Sequence, residues 1–471
     1  MSRFEAAAYS IDGRTFEFSG PIMSGIRPGS YAAIKTPGGD EHLGQILELH
    51  PEPGATFAEP TVRGSGRLLS ESADKPFTGG ALAVADPALL RRRLPADKDK
   101  GAIRIGGLAD VGGVAAVLRA SGFGRHTFVC GQSGSGKTYS MGVVLERILH
   151  HTSLRVVILD PNSDYVNIGS LAAPAAPEGP IDTATWNRHQ KIAAGLRVLG
   201  GETDELKLWL GNLTPRQQTT VLGLDPIADA EEVGVALQIA DDLGTSRFSP
   251  ADLARHAQTL DDPAAHRLAL RITNLRLDRM DIWADEQHPA IIDRIGDDWR
   301  TAVFDLGSLA SQRERSIITA AVVSAVWERR HERRPLLLVV DEAHNVCPQI
   351  PMDANQALAT EHMIAIAGEG RKYGIFLLLA TQRPTKIHEN VLSQCDNLLL
   401  MRMNSAADIA HLSTAFSGVP APLIERSATF RLGEGLAAGQ IAPHPLLFKT
   451  GERITVEGGS DIPTDWTRPE D

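Results

Sequence analysis

Gly131-Gln132-Ser133-Gly134-Ser135-Gly136-Lys137-Thr138 satisfies the spacing G-x-x-x-x-G-K-[ST] at every fixed position. The apolar run Thr127-Phe128-Val129-Cys130 precedes it and reads as a buried strand. Tyr139-Ser140-Met141-Gly142-Val143-Val144-Leu145 follows and reads as a helix. Strand, glycine loop and helix in this order form the context that a phosphate-binding loop needs. Glycines let successive backbone N–H groups turn inward around a phosphate chain, and the helix N-terminus adds partial positive charge. The expected nucleotide-binding residues are Gly131, Ser133, Gly134, Ser135, Gly136, Lys137, Thr138 and Tyr139. In such a loop the lysine reaches the β- and γ-phosphates of ATP and the threonine hydroxyl ligates Mg²⁺.

A second set of residues complements the loop. Leu336-Leu337-Leu338-Val339-Val340 is a continuous apolar run that ends in Asp341-Glu342. Such a strand delivers its terminal acids to the C-terminal edge of a sheet. Asp341 is the expected Mg²⁺ ligand, directly or through water, and Glu342 the expected base that polarises the attacking water. Ile375-Phe376-Leu377-Leu378-Leu379-Ala380 ends at Thr381-Gln382-Arg383-Pro384. Gln382 or Thr381 suits a polar sensor of the γ-phosphate. Arg371, Arg125 and Arg402 are candidates for a guanidinium that stabilises transition-state charge, supplied within the chain or by a neighbour. Asp160 to Tyr165 occupies the tip of another strand, where an acid tunes the metal or the lysine, or caps a turn. His344 and Cys347 stand at i, i+3, but two ligands without partners make no zinc site.

The 471 residues carry a net charge of −11, which argues mildly against indiscriminate nucleic-acid binding but leaves room for a local basic channel. Cys130, Cys347 and Cys395 form no disulfide framework and point to a reducing, cytoplasmic setting. Met1-Ser2-Arg3-Phe4-Glu5 lacks the basic-then-apolar shape of a signal peptide, and no apolar run approaches the ~20 residues of a membrane helix, so no membrane association is expected.

Residues 1–105 read as short strands and turns, with Thr15-Phe16-Glu17-Phe18, Tyr31 to Lys35 and Leu43 to Leu49 as strand candidates and Pro37-Gly38-Gly39-Asp40 and Pro51-Glu52-Pro53-Gly54 as turns. A small β-barrel is expected there. Arg91-Arg92-Arg93 and Asp97-Lys98-Asp99-Lys100 read as a solvated, charged linker. Residues 106–452 read as α/β with a parallel sheet, because Arg155 to Asp160, Ala302 to Leu306, Leu336 to Asp341 and Ile375 to Ala380 are near-continuous apolar runs. The helix from Arg313 to Arg330 is apolar almost all round and is expected to pack deeply. Residues 183–298 turn helical and polar and read as a helical insertion, and residues 453–471 read as a C-terminal tail.

Taken together, these residues resemble the HerA–FtsK branch of ring-forming ATPases, and HerA-like proteins in particular. The resemblance rests on Arg125-His126, Gly131 to Thr138, Asp160-Pro161 with Asp164-Tyr165, and Val340-Asp341-Glu342-Ala343-His344-Asn345. It continues through Glu369-Gly370-Arg371-Lys372-Tyr373-Gly374, Ala380-Thr381-Gln382-Arg383-Pro384 and Ser393-Gln394-Cys395-Asp396. It implies a RecA-like P-loop core behind a small barrel. It also implies a homohexamer that hydrolyses ATP between subunits and moves double-stranded DNA through its pore. Proteins of this kind work with a nuclease, often NurA-like, in DNA end processing, or with other effectors in antiphage defence. Arg371 and Arg125 match arginines that act at the subunit boundary. Asn162-Ser163-Asp164 departs from the more usual His-Gly-Glu and weakens a role carried over to Asp164. Two other readings stand beside this one: an ATPase of the type IV secretion or conjugation class, and an ATP-gated scaffold that organises a partner effector without translocation.

Overall fold

The computed structural model describes residues 6–459, apart from 23–24, 53–60, 70–74, 95–99, 175–180, 202–204 and 295–297. The first strands are β1 (Ala6–Ser10), β2 (Thr15–Pro21), β3 (Tyr31–Lys35), β4 (Glu41–Pro51), β5 (Thr61–Leu68) and β6 (Phe77–Val84). They close into an antiparallel barrel in the order β1-β2-β5-β4-β3-β6, with β1 returning to pair with β6. Residues alternate between buried and exposed along β1 and β5, as a strand with one face on a core requires. The inward set, including Phe16, Phe18, Ile34, Ile46 and Leu82, forms the barrel core. Arg91, Arg92 and Arg93 lie in the last turn of the helix Pro87–Arg93, which Asp86 caps, and not in an irregular connector. A proline at the start and arginines at the C-terminal end suit a helix, where the basic side chains meet the negative end of its dipole. Met1 to Glu5, the Pro53-Gly54 turn, Asp97 to Asp99 and residues 460–471 lie outside the described residues.

The larger sheet strands are β7 (Ala102–Leu108), β8 (Ala115–Arg119), β9 (His126–Cys130), β10 (Arg155–Asp160), β11 (Leu196–Leu199), β12 (Thr301–Asp305), β13 (Leu336–Val340), β14 (Ile375–Thr381), β15 (Cys395–Met401), β16 (Glu434–Ala438) and β17 (Leu446–Thr450). The chain divides into two compact units. The first comprises residues 1–153, 380–386 and 392–453. In it β9 pairs parallel with β15, and β15, β16, β17, β7 and β8 follow in antiparallel succession. The second comprises residues 154–379, 387–391 and 454–471. Its strands run β11-β12-β10-β13-β14, all parallel. β10, β12 and β13 are buried along almost their whole length, which explains their uninterrupted Val, Leu and Ile content.

The expected helical insertion contains the helices Thr183–Ala194, Pro215–Leu222, Ala230–Asp242, Pro250–Ala257 and Pro263–Asn274. Capping boxes at Thr214/Gln217 and Ser249/Asp252 start two of them. It also contains β11, a sheet strand too short to announce itself by periodicity. The helix Gln312–Glu328 buries residues on most of its circumference, from Glu314 to Ser324. The start of the tail is held within the second unit: Ala172 N–H donates to the Ile454 carbonyl (2.9 Å), Val456 N–H to Ser170 (2.8 Å) and Gly458 N–H to Asp164 (3.1 Å). Among the described residues no helix is long and apolar enough to cross a membrane.

Candidate nucleotide site

The glycine loop joins β9 to the helix Lys137–His151. Gly134 (φ 68°) and Gly136 (φ 86°) both adopt left-handed backbone, which glycine reaches without strain. Gly136 is the N-cap, and no side chain caps the helix. Its first amides therefore face the loop without a protein acceptor of the usual kind, as an anion site requires. A Cβ at Gly131 would lie 2.7 Å from both Met401 Cβ and Ser135 Oγ. The Ser135 hydroxyl is buried and has no hydrogen-bond partner among the described residues. Lys137 is 5% exposed. Left-handed glycines, an uncapped helix end, an orphan hydroxyl and a sequestered lysine together fit a bound phosphate chain. Thr138, at the same helix start, offers a hydroxyl for Mg²⁺, which is held by few protein ligands and keeps several waters.

Neighbouring segments brace this loop within the first unit. Arg402 Nη2 donates to the Gly134 carbonyl (2.7 Å), and the Arg402 carbonyl accepts from Gln132 N–H (3.0 Å). The Arg402 side chain is thereby a strut of the loop in its own chain. Gln132 Oε1 accepts from Asn404 N–H (3.0 Å). Gly433 N–H donates to the Ser135 carbonyl (3.1 Å), so a segment nearly three hundred residues away in sequence backs the cradle. The Thr381 carbonyl accepts from Gly131 N–H (3.4 Å), which brings the end of β14 and the following Gln382 to the base of the loop. Gln382 is partly exposed, as a γ-phosphate sensor has to be. Tyr139 does something else: its hydroxyl accepts from Arg453 N–H (2.8 Å) and fastens the helix to the end of the unit.

The second unit carries the acids. Register pairs Asp160 of β10 with Asp305 of β12, and Leu159 with Val340, so Asp305, Asp160 and Asp341 end adjacent parallel strands at one edge. Asp160 is fully buried and accepts from the backbone N–H groups of Tyr165 (2.8 Å), Asp164 (3.0 Å) and Asn162 (3.3 Å). Burial pushes its pKa up to about 7, against the pull of those N–H groups and with a further push from Asp164 and Asp341. The Asp160–Tyr165 turn is thus capped by Asp160. Asp305, which the sequence reading passed over, accepts from the Ser163 hydroxyl (2.7 Å). Asp341 is 1% exposed, and one of its oxygens accepts from Glu342 N–H (2.8 Å). Glu342 adopts left-handed backbone (φ 43°, ψ 49°), a costly conformation for a non-glycine residue and one that clusters at functional sites. Its carboxylate lies 3.2 Å from His344 Nδ1.

The two arginines expected at a subunit boundary sit at the other ends of their strands. Arg125 precedes β9 and pairs with Asp396 (3.3 Å), both half exposed. Arg371 precedes β14 in the turn Gly370–Tyr373. Six residues of extended chain separate Arg125 from Gly131, about 20 Å. Arg371 stands a full strand length, about 16 Å, from the level of Asp341. Cys347 is buried, its Sγ donates to the Ala343 carbonyl (3.5 Å), and burial pushes its pKa up to about 12. Among the described residues no group of three His, Cys, Asp or Glu side chains is arranged to hold a metal.

Residues 103–326 match the helicase HerA central-domain family. The match contains the phosphate loop and ends before Asp341. The chain is 23% identical over 389 residues to a DNA double-strand break repair helicase HerA of Pyrococcus furiosus, covering 69% of this chain and 65% of that protein. It is 33% identical over 129 residues to a probable DNA double-strand break repair helicase HerA of Methanocaldococcus jannaschii, covering 27% of this chain and 25% of that protein. The chain thus spans less than two thirds of the length of either relative. VirB4 of Thermoanaerobacter pseudethanolicus shares the fold, with a TM-score of 0.53 at 15% identity over 75% of this chain and 98% of that one.

Proposed function

Because this chain carries the HerA-like P-loop ATPase fold of the HerA–FtsK class, we propose that it hydrolyses ATP and uses the energy to translocate along double-stranded DNA as a homohexameric ring. The observation that carries the reading is the phosphate cradle: an uncapped helix N-terminus, two left-handed glycines, a buried lysine and an orphan serine hydroxyl in one loop. In this reading Lys137 and the loop amides hold the triphosphate. Glu342 orients and deprotonates the attacking water, and Gln382 reads the γ-phosphate. Mg²⁺, held by Thr138 and Asp341, neutralises phosphate charge when bound.

The position of Arg125 and Arg371 supports the ring. An arginine a strand length from its own chain's carboxylate edge serves a phosphate only when another copy presents that phosphate. A closed ring of head-to-tail copies supplies this arrangement at every boundary. The net charge of −11 places duplex contact at a narrow basic lining formed by assembly, and such contact weakens with salt as counterions are released. We assign the motor a cytoplasmic setting and a partner nuclease of the NurA-like kind, or another effector in antiphage defence. The test is ATP turnover with and without duplex DNA, across duplex length and salt, on protein whose mass in solution is measured. A DNA-stimulated hexamer is expected. A hexamer whose turnover ignores DNA under every condition would make the protein an ATP-gated scaffold.

A further inference from the structure

The second unit contains another concavity, towards the N-terminal ends of its strands and remote from Asp160 and Asp341. It has a volume of about 230 Å³. Val157 of β10 and Phe304 of β12 line it from the sheet, Val322 from the helix Gln312–Glu328, and Trp209 and Leu213 from the helical segment. Walls of this kind offer water no partners, and apolar cavities of such size stay dry or take an apolar guest.

The rim is different in kind. Arg155 lies with its guanidinium carbon 3.7 Å from the centre of the Trp299 ring, and its Nε–H donates to the Trp299 carbonyl (3.2 Å). Arg330 lies 4.3 Å over Trp327 and 5.7 Å from the centre of Tyr373, with one guanidinium N–H on the Trp327 carbonyl (2.9 Å). Both arginines border the cavity. Stacking fixes each guanidinium plane and leaves edge donors to spare. The Arg330 Nε–H is buried and has no hydrogen-bond partner among the described residues. Of the two rim acids, Glu332 is taken up by Arg329 (2.7 Å) and Arg334 (3.7 Å), and Glu328 is driven towards its neutral form by burial. The rim therefore keeps a surplus of oriented positive charge beside an apolar hole, in a chain that is acidic as a whole.

We propose that this cavity binds a small amphipathic anion: an aromatic or branched aliphatic body of one or two rings' volume, with a single carboxylate- or sulfonate-like head held by Arg155 and Arg330. The apolar body gains burial and the head satisfies the unused guanidinium edges. None of the phosphate-loop residues, nor Asp341 or Glu342, lines the cavity, so this site stands apart from the nucleotide.

The probe is 8-anilinonaphthalene-1-sulfonate, with its neutral counterpart N-phenyl-1-naphthylamine, titrated into the full chain. Binding is read by dye emission and by energy transfer from tryptophan. The anion should saturate at one per chain, and saturating ATP should not displace it. Arg155→Gln with Arg330→Gln should weaken the anionic dye about tenfold and leave the neutral dye unchanged, as expected for losing charge-assisted hydrogen bonds alone. The unchanged neutral dye also shows that this variant is folded. Ala321→Phe, at the cavity wall, should weaken both dyes. Displacement by ATP, or an anionic dye whose affinity neither variant moves, would overturn the proposal.

Discussion

The phosphate loop and the carboxylate edge reach their chemistry by opposite routes. The loop is built from backbone: Gly134 and Gly136 supply conformations, the helix start supplies amides, and Arg402, Thr381 and Gly433 hold the chain in place from behind. The edge is built from side chains: three parallel strands in register bring Asp305, Asp160 and Asp341 to one line, with Glu342 turned out by a left-handed residue. A backbone site depends on a few consecutive residues, whereas a register site depends on strands separated by up to 180 residues. The two also belong to different units of the chain. Binding and hydrolysis should therefore fail separately when one region or the other is altered.

The largest expected effect falls on turnover through a third party, the arginine a strand length away. Arg371→Ala should lower ATP turnover by about a thousandfold while nucleotide affinity holds, the scale of a lost arginine finger. Mixing Arg371→Ala with Lys137→Ala subunits should restore part of the activity, because each boundary then has a chance of one intact loop and one intact arginine. No recovery in mixtures would place Arg371 outside the neighbouring site. Next, Lys137→Ala should weaken nucleotide binding about a hundredfold, measured with a fluorescent ATP analogue, since a buried charge-assisted contact to phosphate is lost. Wild-type affinity in this variant would break the account of the loop.

A titrating group in the first unit gives a smaller effect, on stability. His444 is buried against Tyr31, whose hydroxyl lies 2.8 Å from Nε2, and burial with Arg119 and Arg67 nearby lowers its pKa to about 4. The folded state keeps His444 neutral, while the unfolded chain takes up a proton at the ordinary value of 6.5. The unfolded state thus binds more protons between the two values. Stability is retained above pH 6.5 and lost as pH falls towards 4, by about 3 kcal/mol in total. Thermal melts of His444→Gln should show a shallower fall over that window, and an identical pH profile would remove His444 from the account. The smallest effect is expected for Gly136→Ala. Left-handed backbone at φ 86° and a neighbouring Gly433 nitrogen at 3.1 Å should cost about 1–2 kcal/mol, seen in denaturant unfolding, with a matching loss of nucleotide affinity.

Legibility in the sequence follows the same division. The loop, β3 and β10 could be read at their full bounds because each is local, in a motif or a continuous apolar run. β5 and β6 were not, because Gly64, Gly66, Gly79 and Gly80 dilute their strand signal; Gly66 has no side chain because the Phe16 ring occupies that space. The fold class and the barrel followed from composition and turn spacing. Asp305 escaped notice because its partner Ser163 is 142 residues away, and nothing short of sheet register reveals the pairing. Arg402 was read as a possible finger, and only the tertiary contact with Gly134 shows it as a brace. The buried environment of Asp160 was likewise invisible, since the same Asp-Pro turn on a surface would keep an ordinary pKa.

The most direct test of the central claim is Glu342→Gln, assayed for ATP binding and for ATP turnover on the same preparation. The account predicts affinity equal to wild type and turnover reduced by about a hundredfold to ten-thousandfold, because the amide keeps the shape of Glu342 but takes no proton from water. Wild-type turnover in this variant would contradict it and remove Glu342 from the role of base.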